Sequence, residues 1–251
     1  MMRLLRVEVR KMRRLRTLPI LAGMVLAVVA LSCVALLPGG AREGLERPEA
    51  RPWAVLLMNY TMMAAMTSPI LVAVLASRQT DPEHAANGWG LAAGAGVAPG
   101  SLCLAKLAVL SLLLALAVPV QSALVATAGF AIGVRVPFDP APWIGYTILL
   151  LLVDLAFLAL HLWLAARIEN QLLGTGIGML GAFLAVFSLL TPPVFSLLLL
   201  PWGAYAAISH VAQRGGELVF IEPALPRVAG FLLLAAAAFA LAVRRFDRLE
   251  R

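Results

Sequence analysis

Lysine is nearly missing from this chain, with only Lys11 and Lys106 among its 251 residues. A phosphate-binding loop needs the pattern G-x-x-x-x-G-K-[ST], so that backbone N–H groups and an ammonium can hold phosphates. Neither lysine follows such glycines, so this chain is not expected to bind or hydrolyse ATP. Histidine is as sparse: His84, His161 and His210 stand far apart, which is unlike the paired His and Glu spacing of an intramembrane metalloprotease. No G-x-S-x-G elbow is present. The two cysteines, Cys33 and Cys103, lie in different apolar runs, which argues against a disulfide or metal framework. The chain is therefore expected to be non-catalytic, with no metal and no cofactor of its own.

Charge is also scarce. Charged residues make up 13% of the chain and hydrophobic residues 62%, with a mean hydropathy of +0.93. Soluble domains run at roughly 25% charged and 45–50% apolar, so a water-soluble globule is excluded. The longest polar interruptions, residues 38–52, 78–100 and 209–225, are too short for a soluble catalytic domain. The net charge of +7 sits mostly at the two ends, each abutting an apolar run, and reads as membrane-flank charge rather than a nucleic-acid surface.

A hydrocarbon core about 30 Å thick needs roughly 20 apolar residues in helix. The sequence offers six such runs, at about 18–37, 53–76, 102–129 (with a bend expected at Pro119), 143–166, 172–190 and 228–243. Residues 1–16 place Met2, Leu5, Val9, Met12 and Leu15 at helical spacing, and Arg3, Arg6, Arg10 and Arg13 follow the same rhythm elsewhere on the wheel. That pattern predicts a basic amphipathic helix on the membrane surface. The first run is long, and Pro38-Gly39-Gly40 is not a small-residue cleavage pattern, so it reads as a retained span rather than a signal peptide.

Residues 192–210 are apolar enough to cross but are broken by Pro192, Pro193, Pro201 and Gly203. Cytoplasmic flanks carry excess Lys and Arg. Six spans with both termini inside put fourteen such residues on the cytoplasmic side and six outside, whereas a seventh crossing gives twelve against eight. The expectation is thus one all-α membrane domain over 1–251, with six transmembrane helices and an N-terminal amphipathic interfacial helix. A re-entrant or interfacial helical pair is expected between the fifth and sixth spans. It would sit in a multi-pass protein of the cell membrane, in contact with lipid.

Several residues stand out within this frame. Asp81-Pro82-Glu83 can start a short helix ending near Asn87-Gly88, and the glycine-rich stretch 88–100 calls for a loop or helix break. Asp154 lies mid-span, where a carboxylate costs roughly 2.5–3.5 kcal/mol on insertion scales. His161 lies seven residues on, on nearly the same helix face. The two are candidates for lining a cavity or proton path, or for structural hydrogen bonding between helices. Gly174, Gly178 and Ala182, with Gly181 alongside, allow close helix approach. Trp53, Trp143 and Trp202 read as interfacial anchors.

The basic amphipathic start, the six spans and a first cytoplasmic loop of the form E-H-x-x-N-G-W (residues 83–89), followed by Pro99 and Lys106, resemble the ABC-2 type transporter permeases. The resemblance is closest to the small permeases of lantibiotic-immunity and related peptide or drug exporters. It implies a membrane subunit of an ATP-driven exporter that pairs with a second permease, identical or similar, and with separate nucleotide-binding subunits that carry ATP and Mg. The same resemblance makes the first cytoplasmic loop a coupling helix seated on the ATPase, with Asp81, Glu83, His84, Asn87 and Trp89 as coupling positions. An ion-coupled secondary transporter using Asp154 and His161, or a non-transporting membrane scaffold, would be the alternatives.

Overall fold

The computed structural model describes residues 2–34, 36, 45–85, 87–192, 199 and 201–249, with the side chains of 246–249 excepted. Nine α-helices, a 3-10 turn (Pro48–Ala50) and one hairpin occur among them: α1 (Met2–Arg14), α2 (Thr17–Val34), α3 (Pro52–Ala85), α4 (Gly88–Gly94), α5 (Pro99–Ile132), α6 (Pro140–Arg167), α7 (Gln171–Leu190), α8 (Ala204–Ala207), β1 (Val211–Arg214), β2 (Glu217–Phe220) and α9 (Leu225–Leu249). Six of the helices, α2, α3, α5, α6, α7 and α9, are long and apolar enough to cross a membrane. The fold is an all-α membrane bundle.

Helix α3 forms its centre. It packs most extensively on α7, then on α6 and α2, and 67% of its most apolar stretch is buried against 6% for α9. Small residues make the α3–α7 contact possible. A Cβ on Gly178 would lie 2.5 Å from the Ala73 Cβ and 2.9 Å from the Pro69 carbonyl oxygen, and one on Gly181 would run into the Trp202 indole. Gly178 and Gly181 therefore serve packing within the chain, whereas a Cβ on Gly174 would meet nothing within 4 Å.

Several expectations change on contact with the structure. Helix α3 does not stop at the bilayer edge but continues to Ala85, so Asp81 caps nothing and Pro82 lies inside a helix. The short helix expected before Asn87 is instead α4, after it. Asn87 takes a left-handed conformation (φ 48°) at the break, and Gly88 is required there, since a Cβ would sit 2.8 Å from the Glu83 Cα. Trp53 and Trp143 are not lipid-facing anchors. Both are buried, in a cluster with Tyr60, Phe130 and Phe138, and the Trp53 indole donates to the Val136 carbonyl at 2.8 Å.

Residues 201–210 run from deep in the bundle toward the start of α6. Trp202 stacks on Phe157 and Tyr205 reaches Asp154, both deep in α6, whereas His210 packs on Tyr146 and Gly145 near the α6 start. Residues 193–198, where a second helix of the expected pair would fall, lie outside the described residues. After the short helix α8 comes an antiparallel hairpin, with Val211 opposite Phe220 and Arg214 opposite Glu217. Gly215 (φ 59°) and Gly216 (φ 88°) form its turn, the positive φ pair that two-residue hairpins prefer. Arg51, just before α3, donates to the Leu218 carbonyl at 2.8 Å and ties the hairpin to the bundle. The N-terminus and the end of α9 lie at the opposite end from this hairpin.

Candidate functional site

At the α1 end of the bundle four charged side chains meet, three of them buried and the fourth, Lys11, partly exposed. Lys106, near the start of α5, is fully buried, as is Glu8 of α1, and Glu83 of α3 is 3% exposed. The Lys106 ammonium lies 2.9 Å from a Glu8 carboxylate oxygen and 2.9 Å from Glu83, and it donates to the Gln79 carbonyl at 2.7 Å. Lys11 bridges the same two carboxylates, at 2.8 Å from Glu8 and in direct contact with Glu83. The Gln79 amide donates to Glu8 at 2.8 Å, and Arg78 donates to the Leu15 carbonyl at 2.6 Å. Two carboxylates thus face two ammoniums, and the cluster fastens α1 across α3 and α5. Without this neutrality the burial of any one of these charges would be prohibitive.

The cluster explains why α1 sits as it does. Arg3, Arg6, Arg10 and Arg13 are exposed, as the amphipathic pattern predicts, but Val9 is half-exposed while Glu8 and Met12 are buried. The inward stripe of α1 is centred on a glutamate and rests on protein.

Burial alone would push the Glu8 carboxyl up, but the Lys106 ammonium and hydrogen bonds from Lys11, Lys106 and Gln79 hold it below its ordinary value. Lys11 is driven down by burial, yet its bonds to Glu8 and Glu83 leave it above its ordinary value. A depressed carboxyl contributes stability above its unfolded value and loses it as pH falls through the folded one. A raised lysine contributes below its unfolded value and loses it as pH rises through the folded one. Attachment of α1 is therefore expected to be constant through neutral pH and to loosen in acid below the ordinary glutamate value of 4.5 and in alkali above the ordinary lysine value of 10.5. Spin labels at the exposed positions Val7→Cys and Ala95→Cys would show this as a distance distribution that broadens only in those acid and alkaline ranges. A distribution already broad at neutral pH contradicts the lock.

Above the cluster lies the 87–98 loop. Asn87 and Leu91 are exposed, Leu91 at 68%, and Trp89 is half-buried. His84 donates through Nε2 to the Ala165 carbonyl at 2.8 Å, since a carbonyl can only accept, and its ring meets Trp89 edge-on at 6.0 Å. Of the five positions singled out in this loop, Glu83 and His84 thus face inward, Asp81 and Trp89 are half-buried, and only Asn87 is fully exposed. The sequence carries no site expectation for Glu8, Lys11 or Gln79, and Lys106 enters there only through the family resemblance. The available signal was that Glu8 is the sole acid in the first 42 residues and Lys106 the sole lysine in an apolar run.

A second polar site lies inside the bundle. Asp154 is buried and accepts from Tyr205 Oη at 2.8 Å and from Ser68 Oγ at 3.2 Å, which joins α6 to α8 and α3. His161 is also buried, its Nε2 has no partner among the described residues, and no hydrogen bond joins it to Asp154. Among the described residues no group of His, Cys, Asp and Glu is placed to hold a metal.

A family model described as ABC-2 family transporter protein matches residues 4–185. The match takes in α1, the whole ion cluster, the 87–98 loop and Asp154, and it stops within α7, before residues 201–210, the hairpin and α9. No curated protein and no solved structure matches the chain. With well over half of its length matched and six candidate spans, the chain belongs to the ABC-2 transporter family of membrane permeases.

Proposed function

We propose that this chain is the permease subunit of an ATP-driven exporter whose separate ATPase seats on the 87–98 loop. The observation that carries the reading is a division of labour at the α1 end: an exposed apolar helix, α4 with Leu91 outward, stands on a buried and charge-balanced cluster. An exposed leucine on a seven-residue helix suits a groove on a partner, and the rigid base beneath it suits transmission of movement. In this arrangement Asn87 and Leu91 touch the ATPase. Asp81 flanks the contact, Trp89 and His84 hold α4 to the ends of α3 and α6, and Glu83 anchors the base.

Closure of the ATPase pair on ATP, with Mg on that subunit, would push α4 and move α1, α3 and α5 as one block. The termini and the loop are cytoplasmic, in keeping with the fourteen-to-six charge asymmetry. A second permease, identical or similar, completes the path, and its cargo is a peptide, drug or lipid-like amphiphile, as in the lantibiotic-immunity and related exporters. Ion coupling is less well supported, because both Asp154 oxygens are occupied by Tyr205 and Ser68. We assign Asp154 the task of fastening residues 201–210.

A photo-reactive residue placed at Leu91 should crosslink to an ATPase subunit in membranes, and the same residue at Gly215 in the hairpin turn should not. Crosslinking from Gly215, or from neither position in an assembled complex, contradicts this docking.

A further inference from the structure

Helix α1 carries a different chemistry on each of its sides. With Glu8 taken as zero and about 100° added per residue, Arg3, Arg6, Arg10, Arg13 and Arg14 fall between about 140° and 240°, across the helix from the ion cluster. All five are exposed, and none has an ion pair among the described residues. Glu8 and Leu15, about 10 Å apart along α1 at helical rise, bond to Gln79 and Arg78, which are neighbours on α3. Helix α1 therefore lies across the end of α3 rather than along it, in the plane a bilayer surface would occupy. Its two flanks follow from the contacts. Lys11, at about −60°, meets Glu83, one turn beyond Gln79 on α3, and Gly88 at the start of α4 lies against Glu83. That flank, which also carries Val7, is turned to the 87–98 loop. The opposite flank, at about 100–120°, is turned down α3 toward the spans. It carries Val9 and Met2, which are 48% and 73% exposed. Arg13 and Arg6, at about 140° and 160°, border this apolar edge, whereas Arg3, Arg10 and Arg14 stand on the loop side.

We propose that α1 clamps anionic phospholipid headgroups, with Met2 and Val9 in the bilayer edge and Arg6 and Arg13 holding the phosphates above them. Guanidinium groups pair bidentately with phosphate oxygens, and a negatively charged leaflet attracts arginines at this level. Arg6 and Arg13 are two turns apart on one line of the helix, each beside an exposed apolar side chain. An acidic protein surface would account for the arginines but would leave Met2 and Val9 in water. Leu5 and Met12 are turned to the bundle, so the helix has little apolar surface left for insertion and its hold on the leaflet is mainly electrostatic.

The test uses the full chain in mild detergent, stripped of lipid and titrated with phosphatidylglycerol or phosphatidylcholine, with bound lipid counted by native mass spectrometry. Wild type should retain phosphatidylglycerol in preference to phosphatidylcholine, and Arg6→Gln/Arg13→Gln should weaken phosphatidylglycerol binding about thirtyfold. Arg3→Gln/Arg10→Gln, the same change of charge on the loop side, should weaken it about threefold or less. A second readout needs no arginine variant. In nanodiscs containing phosphatidylglycerol, a spin label at Val9→Cys should be relaxed by membrane-soluble oxygen, and one at Val7→Cys by a water-soluble nickel chelate. Equal retention of the two lipids by wild type, equal effects of the two arginine pairs, or both labels in water overturn the proposal. So does loss of ATPase co-purification in Arg6→Gln/Arg13→Gln with lipid retention intact, which would give this face to the ATPase.

Discussion

Replacing Lys106 by methionine should cost this protein about 3–5 kcal/mol of stability, the usual consequence of removing one partner from a buried charge pair. Methionine fills most of the same volume, so the loss is electrostatic. Glu8 and Glu83 would face each other with only Lys11 between them, and the Gln79 carbonyl would lose its donor. Folded proteins have only about 5–15 kcal/mol in hand, so the variant should give little monodisperse material in size-exclusion chromatography and a sharply lowered melting temperature. Adding Glu83→Gln should recover part of the loss, because it leaves Lys11 a single carboxylate to neutralise. If Lys106→Met melted like wild type, the cluster would not be what holds α1 to the bundle.

The second large effect is on activity. Leu91→Asp alters a residue that is 68% exposed, and surface changes of that kind shift stability by about 0.5 kcal/mol or less. Expression and melting should therefore match wild type. If Leu91 is the apolar centre of the ATPase contact, a charge there removes a hot spot worth about 2 kcal/mol or more, or roughly thirtyfold in affinity. Transport by the reconstituted complex should fall by at least that factor at limiting ATPase, with partial recovery when the ATPase is in excess. The contrast with Glu83 is informative, since Glu83→Ala would also abolish activity but by loosening the fold. Transport unchanged in Leu91→Asp would remove α4 from the docking surface.

The spans were legible because their signal is simple, apolar runs of bilayer length, and the helix positions follow them closely except where tertiary contacts extend them. Helix α3 passes through Pro82 because Gln79 and Glu83 are held from outside by α1 and Lys106, a long-range effect that local capping chemistry does not reveal. Trp53 and Trp143 read as anchors from their position near span ends, but their partners Phe130 and Phe138 come from another helix and the loop after it. The hairpin's signal is weak, since Gly215-Gly216 is a hairpin turn but the strands it joins are four residues each and do not alternate cleanly between apolar and polar. Asp154 was legible as costly. Its partner Tyr205 was not, since the depth of α8 is set by packing of Trp202 on Phe157 and against Gly181.

The central claim is that this membrane chain is driven by a separate ATPase, and affinity purification from the native host in mild detergent followed by mass spectrometry tests it most directly. The account predicts an ABC-type ATPase carrying a Walker A loop, recovered with the wild-type chain and reduced with Leu91→Asp, while the chain alone neither binds nor hydrolyses ATP. Recovery of no such protein, under conditions that preserve other membrane complexes, would contradict it.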